Sequence, residues 1–308
     1  HQIRESDWSD EMEETREALV QKLLDIYSKE GNYETSVPGV WVHRSERNKV
    51  PKPHIYQPMM IFILSGTKLI KFGSAEKIFS PLDYFLTVLT APVTSGIVGV
   101  TSEEPYLALS IDLEAEVITS IAYEMGLKPQ SAEPAKAASC VPMSVEMQGA
   151  LVRLCNTMNN PEEARILGPI LKREIFYRVL TGPLGYSVIR FNSLRTSEYQ
   201  IARAVDWIKI NFKEPLAIDD LAKKVFMGRS TFHRKFKEVM TVSPLRFQKE
   251  LRLQEAHRLM LLKNLSVTQA SYEVGFEDPK FFTREYKDYF GLSPRENIKK
   301  IRAEEGIN

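Results

Sequence analysis

The chain has 308 residues, of which 43% are hydrophobic and 26% charged, and its net charge is +1. That length predicts about two domains, each with its own core, and the composition excludes a disordered or fibrous protein. Two cysteines, Cys140 and Cys155, exclude a disulfide framework, and without a CxxC pair they exclude a cysteine zinc site.

Residues 196–308 hold 21 basic against 16 acidic side chains, while residues 1–195 hold 20 against 24. An acidic front half and a basic back half predict two different partners. The start, HQIRESDWSDEMEE, lacks the basic and apolar regions of a secretory leader. The apolar run MMIFIL at 59–64 is far short of the roughly 20 residues that span a bilayer. With so few cysteines, the expected compartment is the reducing cytoplasm.

Residues 6–30 read as a helix, with Leu19, Leu23, Leu24 and Tyr27 on one stripe and Gly31-Asn32 as the stop. From 36 to 112 prolines separate short β-rich runs: VWVH, MMIFIL, KLIKFG, YFLTVLT, GIVGVT and YLALSID. Such runs predict a β-sandwich or barrel. Residues 113–127 read as helix again. The Pro/Ala/Ser-rich segment KPQSAEPAKAASCVPM at 128–143 reads as a linker or long loop. Helices follow near 144–159 and 162–181, then an irregular stretch over 183–197. From 198 onward the whole pattern is helical.

The back half contains a repeat. MGRSTFHRKFKEVMTVSP at 227–244 aligns with GFEDPKFFTREYKDYFGLSP at 275–294, at an offset of fifty. Phe232 matches Phe282, Arg234 matches Arg284, Phe236 matches Tyr286, and Ser243-Pro244 matches Ser293-Pro294. At helical spacing Phe232, Phe236, Val239 and Met240 share one face, as do Phe282, Tyr286, Tyr289 and Phe290. The opposite faces carry Arg229, Ser230, His233, Arg234 and Lys237 in the first unit, and Lys280, Thr283, Arg284 and Lys287 in the second.

A shorter helix precedes each of these, IDDLAKKV at 218–225 and VTQASYEV at 267–274, across a tight turn. The pattern is a helix-turn-helix written twice. A helix with a polar face fits the DNA major groove, about 12 Å wide. Between the units, 244–262 is an unbroken helical pattern about 27 Å long. Such a rod holds two recognition helices in successive grooves, about 34 Å apart.

These residues resemble the AraC/XylS transcription regulators, whose second unit ends in a pattern like that of GFEDPKFFTREYKDYFGLSP. Ser271 stands where the family usually has Ala, Thr241 where it usually has Gly, and Pro279 opens the second recognition helix. The resemblance implies base contacts from Ser230, His233, Arg234, Lys280, Thr283 and Arg284. Phosphate contacts fall to Arg229, Lys237 and Lys287. The stretches at 56–73, 84–93, 104–113 and 168–185 are similar to the front domain of one subgroup. This implies a cupin-like β-barrel with flanking helices over 1–190, for effector sensing and dimerisation, and a DNA-binding domain over 196–308. The expected fold class is therefore α+β. The implied partners are double-stranded operator DNA, a small-molecule effector, RNA polymerase and a second copy of the chain.

The front domain is not expected to be an enzyme. His43 and His54 lie eleven residues apart with no HxH pair, so no metal is expected, and no P-loop, GxSxG or dinucleotide-binding glycine pattern occurs. No cofactor is expected. Trp41, Tyr56, Phe62, Phe72 and Tyr84 are candidates for a ligand-binding wall, each also readable as plain core. Cys140 reads as a bystander or a sensor thiol, and Cys155 as core. Two alternatives stay open: a front domain that only dimerises or binds a protein, and a cupin enzyme with a DNA-binding tail.

Overall fold

The computed structural model describes residues 5–81, 83–129 and 135–305. Helix α1 (Glu5–Ile26) leads into nine strands: β1 (Gly31–Glu34), β2 (Val40–Ser45), β3 (Lys49–Tyr56), β4 (Met59–Ser65), β5 (Thr67–Phe72), β6 (Ala75–Phe79), β7 (Asp83–Thr87), β8 (Ala91–Val98) and β9 (Tyr106–Asp112). Helix α2 (Ala115–Glu124) and strand β10 (Ala138–Pro142) follow. Helices α3 (Val145–Thr157), α4 (Pro161–Thr181) and α5 (Gly185–Asn192) complete the front region. The rest is helical: α6 (Ser197–Ile210), α7 (Ile218–Lys224), α8 (Arg229–Met240), α9 (Pro244–Leu262), α10 (Val267–Glu273), α11 (Pro279–Phe290) and α12 (Pro294–Glu305). The fold is α+β, as expected.

The expected barrel is built as two facing antiparallel sheets. One has the order β1-β2-β9-β4-β7-β10 and the other β3-β8-β5-β6. Ring contacts cross the gap, Tyr56 to Phe85 at 6.2 Å and Phe79 to Phe85 at 5.9 Å. The larger sheet is covered on its other face by helices, where Arg44 donates to the carbonyls of Leu24 in α1 and of Tyr27 just after it. Both faces of β4 are therefore buried, which is why MMIFIL is a continuous apolar run rather than an alternating one.

Two expectations need correction. The expected linker ends in a strand, since β10 pairs with β7 from Ala138↔Thr87 to Pro142↔Asp83. Backbone pairing there outweighs a loop-like composition; residues 130–134 of that segment lie outside the described residues. The expected irregular stretch contains helix α5, which buries Val188, Ile189 and Phe191.

Buried side chains form two clusters. One runs from α1 through the sheets and α3–α6 to Phe247 at the start of α9, and takes in α7 and α8. The other gathers the end of α9 with α10–α12. The clusters part within α9, so this one rod joins both.

The smaller sheet also meets the back half directly. Strand β3 packs against α9 and α11, and Gln254 donates to the Pro53 carbonyl at 2.8 Å. Lys209 donates to the Gln57 amide oxygen at 3.1 Å, and the Ala137 amide to the Val239 carbonyl at 3.1 Å. Gly73, in the turn between β5 and β6, abuts the Thr241 side chain.

Candidate nucleic-acid interface

Each recognition helix is fixed from beneath by aromatic packing. α8 buries Phe232, Phe236, Val239 and Met240, and α11 buries Phe282 and Tyr286. The Phe232 and Phe236 rings lie 5.7 Å apart, as do those of Phe282 and Tyr286. The Tyr286 hydroxyl is held by Asn297 of α12 and His257 of α9, at 2.9 and 2.6 Å. These contacts leave each helix one possible outer face.

That outer face carries the expected polar residues. Arg229, Ser230, His233, Arg234 and Lys237 of α8 are exposed, as are Lys280, Arg284 and Lys287 of α11. Thr283 is half-buried and donates to the Pro279 carbonyl at 2.8 Å. Arg229 pairs with Asp219 at 3.2 Å and Arg234 with Glu238 at 3.7 Å. Arg284 lies over the Phe281 ring at 5.1 Å. Such exposed pairs are worth little, so the arginines are available to another partner. Lys237 also borders a groove of about 810 Å³ between the ends of α8 and α11 and the smaller sheet.

Two of the three departures in the repeat are accommodated locally, and the third, Thr241, carries a backbone cost. Ser271 is buried and donates to the Thr268 carbonyl at 2.8 Å, so its extra hydroxyl is satisfied. Pro279 occupies the first helical turn, where Asp278 caps the Lys280 amide. Thr241 adopts the left-handed cap at φ 65°, where the second unit has Gly291 at φ 81°. Left-handed backbone is costly for a β-branched residue. At the turn inside the first unit, Phe226 is likewise left-handed and 82% exposed, while Gly275 takes the equivalent place in the second.

The five residues of the expected aromatic wall are not brought together. Strand pairing puts Trp41, Ser110, Ile61 and Phe85 on one face, toward the second sheet. Tyr56 and Phe72 face them from the smaller sheet, whose inner side also carries Ile70. Phe62 and Tyr84 lie on the opposite, helix-covered face, with their rings stacked 5.5 Å apart. Sequence reasoning missed Lys68, Tyr106 and Ser95, which share the inner side. A period-two count through KLIKFG would have placed Lys68 beside Ile70 and Phe72.

Neither histidine sits in a loop. His43 on β2 bonds Asn32 and Ser110, each at 2.7 Å, and burial pushes its pKa down to about 4, helped by Lys68 and Lys49. Burial pushes His54 on β3 down to about 4 as well, with Lys68, Lys52 and His257 adding to it. Among the described residues, no three of His, Cys, Asp and Glu gather as a metal site. Burial pushes the Cys140 thiol up to about 12, partly countered by Lys77, so it carries no thiolate near neutral pH. Burial pushes Cys155 up to about 12 too, inside the core.

Two helix-turn-helix units on one connecting helix, behind a two-sheet sandwich, define the architecture of a double helix-turn-helix regulator. A family profile described as the AraC-type transcriptional regulator N-terminus matches residues 36–187, and a helix-turn-helix domain profile matches 221–300. The chain belongs to the AraC/XylS family of transcription regulators. Among curated relatives, it is 28% identical over 140 residues to the transcriptional regulator ArgR of Pseudomonas aeruginosa, covering 46% of this chain and 43% of that one. It is 28% identical over 144 residues to the transcriptional activator RhaS of Escherichia coli, covering 47% and 51%. The match thus spans about half the length of these relatives. A solved apo ToxT from Vibrio cholerae shares the fold, with a TM-score of 0.57 and 12% identity over 88% of this chain and 98% of that one. An unsaturated fatty acid-bound ToxT gives 0.56 and 12%, over 88% and 97%. Among the described residues, no helix is long and apolar enough to cross a membrane.

Proposed function

We propose that this chain is a sequence-specific regulator of transcription. Its helices α6–α12 bind two successive major grooves of operator DNA, and its sandwich senses a small molecule. The observation that carries this reading is the pair of matched recognition helices, each buried on an aromatic face and exposed on a basic, polar one. The proposed division is residues 1–190 for sensing and dimerisation and 196–308 for DNA. Ser230, His233, Arg234, Lys280, Thr283 and Arg284 contact bases in this reading, and Arg229, Lys237 and Lys287 contact phosphate. The sensing role is supported by an inner side that mixes aromatic and polar groups, and by a neighbour in fold whose solved form holds a fatty acid. A homodimer is supported by α4, where Ile166, Ile170 and Tyr177 are 52%, 60% and 39% exposed along one face. Contact with RNA polymerase and a cytoplasmic site of action complete the reading.

The test is selection of bound sequences from a random duplex pool, followed by titration of the selected site. Arg234→Ala or Arg284→Ala should cost about 1–3 kcal/mol on that site and relax the base preference at one position. Unchanged affinity for the selected site would defeat the assignment. Lys237→Ala or Lys287→Ala should weaken selected and random DNA alike. Each should also flatten the plot of log affinity against log salt by about 1. A sequence-dependent effect would move that lysine into the base-contacting group.

A further inference from the structure

Lys68 occupies an inward position on β5, where alternation ordinarily places an apolar side chain. Its Nζ lies 5.4 Å from the centre of the Tyr56 ring and 5.8 Å from that of Tyr106. Among the described residues, no carboxylate acts on this ammonium. Burial opposes its charge, while the Tyr106 and Tyr56 oxygens beside it favour the charge and prevail. A cation drawn into a protein interior normally has a counter-charge.

A second group nearby is also left over. Tyr106 is 2% exposed, and its hydroxyl proton has no acceptor among the described residues, the Lys68 ammonium beside it being a donor only. Buried hydroxyls normally find one. The Tyr56 hydroxyl is already engaged with Ser95 at 2.8 Å. The cluster is reachable from solvent, since Lys68 and Tyr56 are only half-buried. His43 and His54 are neutral near pH 7, and Lys49, which pairs with Glu30 at 3.3 Å, and Lys52 are exposed, so Lys68 is the half-buried cation among these rings.

We propose that Lys68 and the Tyr106 hydroxyl, with Tyr56 beside them, bind the carboxylate of a small effector acid whose apolar body lies along the inner aromatic face. This rests on the sensing role proposed above. The ammonium donates to one carboxylate oxygen and the tyrosine hydroxyl to the other, both as charge-assisted bonds. One cation matches one negative charge, and a phosphate dianion would leave a charge over. The Phe79 and Phe85 rings, 5.9 Å apart, offer the apolar body a wall. The competing account is that the lysine stem merely packs on two rings, and the test separates the two.

The full chain is titrated with hexanoate and 3-phenylpropanoate, each beside its neutral amide, and with inorganic phosphate. Thermal shift and calorimetry are the readouts. At least one acid should raise Tm, with its amide bound at least about tenfold more weakly. Lys68→Met and Tyr106→Phe should each weaken the acid about ten- to a hundredfold, and neither should alter binding of the unliganded protein to its selected DNA. Should Lys68→Met fail to fold, Tyr106→Phe and the charge-retaining Lys68→Arg carry the test, the latter keeping affinity within about tenfold. Equal response to acid and amide, undiminished affinity in Tyr106→Phe, a preference for phosphate, or no response to either acid at about 10 mM would overturn the proposal. Selective DNA binding without a response to acids defeats this site alone, whereas wild-type protein that selects no DNA sequence defeats the regulator reading.

Discussion

Glu198→Gln should destabilise the protein by about 3 kcal/mol at pH 7 and lower Tm by roughly 5–10 °C. Glu198 is fully buried at the start of α6. Both its oxygens accept from Arg190 of α5 at 2.9 Å, and Lys235 of α8 lies 3.6 Å away. One carboxylate therefore ties the last helix of the front region to the first recognition helix. Glutamine keeps the shape but removes the charge that Arg190 and Lys235, 17% and 15% exposed, share, while Lys235 keeps its pair with Glu238 at 3.2 Å. That residual exposure sets the cost at the low end for a broken buried pair.

The same substitution has a pH signature. Burial pushes the Glu198 carboxyl up, but Arg190, the local backbone amide and Lys235 outweigh it and hold the pKa below the usual 4.5. A lowered native pKa means that the contribution is complete above about 4.5 and fades as pH falls through the native value. The gap between wild type and variant should thus be constant from pH 8 to about 5.5 and narrow below about 4.5. Urea midpoints across that range check it. A gap of equal size at pH 3.5 and pH 7 would show that charge is not the cause.

Phe282→Ala should cost about 3–5 kcal/mol. The ring is fully buried between Phe276, edge-on at 5.2 Å, and Tyr286 at 5.7 Å. It belongs to the cluster that holds α10–α12 and the end of α9, separate from the cluster under α8. The damage should therefore be local. Limited proteolysis is expected to cut residues 263–305 first, while the front region resists. A loss below about 1 kcal/mol would mean that the surrounding rings collapse onto the gap.

The DNA-facing half was legible in the sequence because its signals repeat. Phe232 and Phe282, Arg234 and Arg284 mark the same positions twice, and a chance pattern does not recur with its buried and polar faces in phase. The front half was legible only as strands. A sheet covered on both sides, as at β4, shows no alternation, so nothing in MMIFIL tells Phe62 from Ile61. The split of Trp41, Tyr56 and Phe72 from Phe62 and Tyr84 is set by register, which a single strand does not encode. Lys68 was passed over because a lysine in a strand ordinarily marks the solvent side. Strand β10 was hidden by prolines and alanines, because its pairing with β7 is a non-local contact.

The Gly73–Thr241 contact ties the sandwich and the first recognition helix into one balance. An alanine Cβ at position 73 would come within 2.7 Å of the Thr241 Cβ, so the β5–β6 turn seats against the end of α8 with no room to spare. Strand β3 holds α9 and α11 at the same time. Any ligand whose affinity depends on how the sandwich grips these helices must change operator affinity by some factor, and operator DNA must then change that ligand's affinity by the same factor. The coupling is reciprocal by thermodynamics, so it is measurable from either end.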